Sequence, residues 1–180
     1  MGALILGLLL ALALCWAVGA HNRLMRLRAD VLRQWSSVDA VWLRLLVRLQ
    51  GGIAARQTLA PEQAAADLLT LQTTCDELLE ALSQVRLQPL DGESQKLLAM
   101  QHQKLLAEIR TQLQAENAAV KPDLDIALNR MRQTLPAALI PYHVAVVAYN
   151  EALAMRPASW LARQLNLKPV MRMDLSMGAA

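Results

Sequence analysis

The sequence predicts an all-α protein: an N-terminal transmembrane helix that continues into an antiparallel bundle of long helices of the four-helix type. Three observations carry this. No charged side chain occurs from Met1 to Ala20. Beyond that point apolar residues recur every three or four positions through each long segment, the period of one helix face. Strand-like alternation appears nowhere, and the composition is rich in Leu and Ala, with 3% aromatics and no Phe, which favours helices over strands. At 180 residues the chain has room for one span and one domain. The expected division is a span over 1–20, a cytosolic body over 21–157 and a C-terminal tail over 158–180.

The first element is the span. About 18–20 uncharged residues rising about 1.5 Å each cover about 27–30 Å, the thickness of a hydrocarbon core. No Lys or Arg precedes the apolar run, whereas Arg23, Arg26, Arg28 and Arg33 follow it closely. The positive-inside bias therefore puts the amino terminus outside and the rest in the cytoplasm. Trp16 lies about one turn before the end of the run, where an indole meets headgroups. A cleaved signal peptide is the rival reading, but it lacks a basic n-region, and its apolar stretch exceeds the usual length of about 7–15 residues. Gly2, Gly7 and Gly19 make no Gly-x-x-x-Gly pair.

The first helix continues past the membrane with the stripe Leu24, Leu27, Val31, Trp35, Val38, Trp42, Leu45 and Leu49. Gly51-Gly52 reads as a weak point or a stop. A second helix begins near Ala60-Pro61-Glu62 and buries Leu68, Leu71, Cys75, Leu78, Leu82 and Val85. Pro89-Leu90-Asp91-Gly92 is a turn. A third helix from about Glu93 to Ala119 buries Leu97, Leu98, Leu105, Ile109 and Leu113, with His102 on its polar side. The fourth pattern follows Lys121-Pro122-Asp123 and buries Leu124, Leu128, Met131, Leu135 and Ala138, then Tyr142, Val146, Tyr149 and Leu153. Pro136 and Pro141 predict a kink or short break in it. Short connections make consecutive helices antiparallel, so the fourth should return to the bilayer near Pro157. In the tail, Trp160, Leu161, Leu165 and Leu167 stand beside Arg163, Lys168 and Arg172. This mix suits either a headgroup region or the capping of the bundle's end.

Signals of chemistry are thin. His21, His102 and His143 have no carboxylate or thiol at a metal-ligand spacing, and neither a phosphate-binding Gly loop nor a Gly-x-Ser-x-Gly elbow occurs. Asp76, Glu77 and Glu80, and Asp123 with Asp125, read as solvated faces. Cys15 and Cys75 read as packing residues. Tyr142 and Tyr149 share a face and anchor the core through their hydroxyls, and Asn150 bonds a backbone group. The net charge of +3 comes mostly from the Arg cluster beside the span. With no base-stacking aromatics among those Arg residues, a membrane surface is favoured and nucleic acid is not.

Two stretches resemble the LemA family of single-span bacterial membrane proteins. One is His21-Asn22-Arg23-Leu24-Met25-Arg26-Leu27-Arg28, continuing to Gln34-Trp35-Ser36-Ser37-Val38-Asp39. It is similar to the family's aromatic-Asn, Leu-x-x-Leu-Arg and Trp-Ser-x-Ile/Val-Asp pattern directly after the span. The other, Tyr142-His143 followed by Tyr149-Asn150, Pro157 and Leu161-Ala162, resembles the family's Tyr-Asn…Tyr-Asn…Pro…Ala ending. His21 and His143 replace its usual Tyr and Asn. The resemblance implies an outside amino end, a cytosolic helical bundle and no catalytic role, in a divergent member.

The expectation is thus a non-enzymatic scaffold or adaptor, without cofactor, anchored in a bacterial inner membrane. Its expected partners are the bilayer, further copies of itself, and a membrane or cytosolic protein. The expected membrane-surface residues are Trp16, Arg23, Arg26, Arg28, Arg33 and Trp160. The alternatives are a sensor of anionic lipid or envelope stress, and a metal-dependent hydrolase assembled from His102, His143 and Glu108.

Overall fold

A computed structural model of the chain describes residues 1–59, 65–114 and 121–175. Among these residues there are five helices and no strand: α1 (Gly2–Leu59), α2 (Ala65–Leu87), α3 (Gly92–Gln114), α4 (Lys121–Ala154) and α5 (Ala158–Gln164). The predicted start of the second helix at Ala60-Pro61-Glu62, the end of the third at Ala119 and the side chain of Asp123 lie outside the described residues.

One helix has two unlike halves. In α1 the most apolar 18-residue window has a mean hydropathy of 2.5, and none of it is buried in the protein. From Leu24 onward the same helix turns a stripe inward, with Leu24, Val31, Trp35, Val38, Trp42 and Leu49 all buried. Burying a side chain of this size stabilises the fold by about 1.5–3 kcal/mol. Gly51-Gly52 does not stop the helix. Each Gly costs about 1 kcal/mol relative to Ala, but Ile53 continues the stripe at 3% exposure and Gln57 Nε2 donates to Gln72 Oε1 at 3.2 Å. Packing outweighs propensity here.

The α2 stripe is buried as its period requires, from Leu68 through Leu71, Cys75, Leu78 and Leu82 to Val85. Side-chain bonds from Gln50 to Asp76 and from Arg86 to Asp39 set α2 antiparallel to α1. The tight turn that follows hands the chain to α3. Its cap is Asp91, whose Oδ2 accepts from the Ser94 backbone N at 2.8 Å and from Ser94 Oγ at 2.7 Å, satisfying a donor that the helix start leaves open. These Ser94 bonds, side chain first, hold the Asp91 carboxyl below its ordinary range.

The helix α4 runs unbroken through Pro136 and Pro141. Both prolines lie on the exposed side, so the carbonyls they leave unbonded face solvent, and the buried side keeps Leu135, Leu139 and Tyr142 in the core. α4 packs most extensively on α1, and α2 on α3. The α2–α3 hairpin turns back at the level of Asp39, about 28 Å along α1 from Ala20. Nearer the apolar segment of α1, the body consists of α1, α4 and α5. After α5 the chain leaves helix and runs along α4 as a strap, residues 167–175, with Val170 and Met173 buried.

Candidate functional site

Two places bring sequence-distant functional groups together. The first is the corner where α1 leaves its apolar segment. Antiparallel packing returns the end of α4 to this point, so Trp16, Gly19 and Arg23 share the walls of a cleft of about 360 Å³ with Met155, Arg156 and Pro157. Asn22, Arg23, Arg26, Arg28 and Arg33 are exposed on α1, and Leu27 is partly buried. Arg33 pairs with Asp30 at 3.1 Å. Trp16 is 42% and Trp160 60% exposed. Tyr149 is buried beside Arg28; burial raises its hydroxyl pKa and the nearby guanidinium opposes that rise. Arg156 was absent from the residues singled out by sequence. The signal was available, because a fourth helix returning antiparallel must bring its last residues alongside Arg23.

The second place lies in the bundle core, where apolar stripes alone would leave no polar side chain. Gln95, His102 and Thr74 are nevertheless each 3% exposed there. Trp35 meets Tyr142 edge-on with ring centroids 5.6 Å apart, Trp35 and Trp42 lie 6.3 Å apart, and Trp42 meets His102 at 5.4 Å. Gln95 Nε2 donates to the Tyr142 hydroxyl at 3.0 Å and to the Pro89 carbonyl at 2.7 Å. Burial pushes the Tyr142 hydroxyl up to about 12 against the opposing effect of this bond. In a chain without Phe, three of the six Trp and Tyr rings meet at this level. The indole nitrogens of Trp35 and Trp42 are enclosed without partners, each at a cost of about 1–3 kcal/mol.

His102 therefore does not sit on the polar side of its helix. It points inward, and burial pushes its pKa down to about 4, so the ring is neutral at neutral pH. His143 is half-buried, and its Nε2 donates to the Met173 carbonyl of the strap at 2.8 Å. Both histidines line one cavity of about 470 Å³ between α3 and α4, and Glu108 does not. Among the described residues no three His, Cys, Asp or Glu side chains are grouped as metal ligands would be.

Three acidic residues on α1 and α2 serve as pairing groups. Lys104 bridges to Glu77, Asp76 accepts from Gln50 Nε2 at 3.0 Å, and Asp39 accepts from Arg86 Nε at 2.9 and 3.0 Å. Cys75 is fully buried, and burial first, then the neighbouring Asp76 carboxylate, pushes its thiol up to about 12. That keeps it in the unreactive thiol form. Asn150 holds the strap through two bonds, its Nδ2 donating to the Val170 carbonyl at 2.8 Å and its Oδ1 accepting from the Val170 N at 2.9 Å.

Comparison with protein-family models, with curated proteins and with solved structures finds no match to this chain.

Proposed function

We propose that this chain is a non-enzymatic scaffold or adaptor, held by one span in a bacterial inner membrane, with its amino end outside and its helical body in the cytoplasm. The observation that carries this reading is the continuity of α1. An apolar segment long enough to cross a bilayer, with no protein packed over it, is one rigid element with the main strut of the bundle. Movement or crowding at the membrane is thereby transmitted to the body without a hinge. The Arg cluster after the span supports the orientation, and the LemA-like pattern supports the class. An adaptor also needs a surface to offer. Ile140 and Val144, one turn apart on α4, are 63% and 64% exposed, and such an apolar patch suits a second copy or a protein partner.

A fluorescent reporter that matures only in the cytoplasm, fused at the carboxyl end, should be bright, and the protein should resist alkaline extraction from membranes. Activity of an exported reporter alone, or a mature chain beginning near residue 21, would overturn the reading. Crosslinking in intact cells should capture neighbours through Ile140 and Val144.

A second reading, recognition of anionic lipid, is favoured by the cleft at the α1–α4 corner. Arg23 and Arg156 line it and make no ion pair among the described residues. Polybasic residues at a membrane surface gain about 1 kcal/mol each from anionic lipid. Native mass spectrometry should find phosphatidylglycerol retained over phosphatidylcholine, with the preference lost in R23Q/R156Q. Equal retention of the two lipids eliminates this reading and leaves the scaffold intact.

A further inference from the structure

We propose that the cavity between α3 and α4 is a binding site for a small soluble carboxylate with an apolar body. The cavity measures about 470 Å³, within the range of roughly 300–1,000 Å³ typical of small-molecule sites. Leu106, Met131, Pro136, Leu139 and Met173 give it an apolar wall, and the strap closes one side, fixed by Gln103 Nε2 donating to the Leu175 carbonyl at 2.5 Å.

Three of the six polar side chains on its wall, His102, Arg110 and Arg132, keep donors that make no bond among the described residues. His102 is 3% exposed, its Nδ1 is enclosed without a partner, and its Nε2 has no hydrogen bond to the protein. An enclosed N–H lacking an acceptor is the costlier orphan, so the ring proton belongs on Nε2, as a donor still to be used. Arg110 Nε is likewise enclosed without a partner, and Arg132 brings a second guanidinium. Neither arginine has an ion pair among the described residues. Asp174 also lines the cavity and has an interaction of its own, so the two guanidiniums exceed the carboxylates by one. Planar guanidiniums select planar carboxylates by paired N–H···O bonds.

The site's position separates it from the lipid. His102 packs on Trp42, which stands about 33 Å along α1 from Ala20. No headgroup reaches that far, so the ligand comes from the aqueous phase. The inference thus stands independently of the anionic-lipid reading, on different residues.

The test is equilibrium dialysis of 2-naphthoate against the full chain in phosphatidylcholine nanodiscs, with empty nanodiscs as the blank. Saturable binding of one molecule per chain is expected, with no saturable binding of the uncharged 2-naphthamide. Arg132 is exposed, so R132Q should melt as the wild type does while binding about tenfold more weakly. R110Q should weaken binding likewise, and R44Q, on α1 away from the cavity, should not. No saturable uptake above the blank, equal uptake of the amide, or wild-type affinity in R110Q/R132Q would each overturn the proposal.

Discussion

The His102 ring stands edge-on to Trp42, with centroids 5.4 Å apart and planes at 83°, so a residue that reads as polar surface is sealed against the main strut of the bundle. Its folded pKa is about 4 against an ordinary 6.5. Between these values the unfolded chain binds a proton that the native state does not. Stability should therefore be full above about pH 6.5 and fall as the pH drops toward 4, by on the order of 3 kcal/mol. Asp91 loses its contribution only below its ordinary 3.8, outside this window. Urea denaturation from pH 7 to 4 should show the slope in the wild type and a flatter one in H102L. Identical slopes would mean that His102 is protonated while folded.

Leu78 and Leu82 are 0% and 1% exposed in the middle of α2. Replacing either by Asp forces a carboxylate into an apolar seam without a partner, a cost of several kcal/mol, and the body should lose its cooperative thermal transition in circular dichroism. Leu69→Asp on the same helix, at a position 60% exposed, should melt as the wild type does. A folded L78D would mean that the seam is elsewhere.

The period of the apolar residues made this seam legible, because packing and sequence spacing express the same geometry. Residue chemistry misled where a polar residue takes a stripe position. Leu98, His102, Leu105 and Ile109 step by four, three and four, and Gln95 precedes them by three, so the spacing placed both polar residues inside although their chemistry argued otherwise. Punctuation misled in the opposite sense at Gly51-Gly52, where Ile53 continues the stripe and carries the helix on. The corner cleft depends on Arg23 and Arg156, which only the antiparallel return of α4 brings together, and the cavity depends on the strap, whose path has no periodic signal.

Arg86 and Asp39 tie the tip of the α2–α3 hairpin to α1 through Nε bonds of 2.9 and 3.0 Å to both carboxylate oxygens. The arginine is 44% and the aspartate 17% exposed, so solvent screening leaves a coupling of about 1 kcal/mol. A double-mutant cycle of D39N and R86Q should return that value at low salt and a smaller one in about 1 M salt. Additive single effects at every salt concentration would show that the pair contributes no coupling.

Asn150 and Val170 exchange two hydrogen bonds, 2.8 and 2.9 Å long, so the side-chain amide acts toward the strap as a neighbouring backbone would. The remaining anchors are His143 to the Met173 carbonyl and Gln103 to the Leu175 carbonyl. In N150A the Val170 N–H loses its acceptor, a loss of about 1–3 kcal/mol that falls on the strap and not on the helices, which keep their own cores. Hydrogen exchange at Val170 should then accelerate well before exchange in α1 or α4, and limited proteolysis should cut within 167–175. N150D keeps an acceptor for the Val170 N–H but loses the donor to its carbonyl, so its protection should fall between the other two. Val170 protection unchanged in N150A would mean that burial of Val170 and Met173 alone secures the strap.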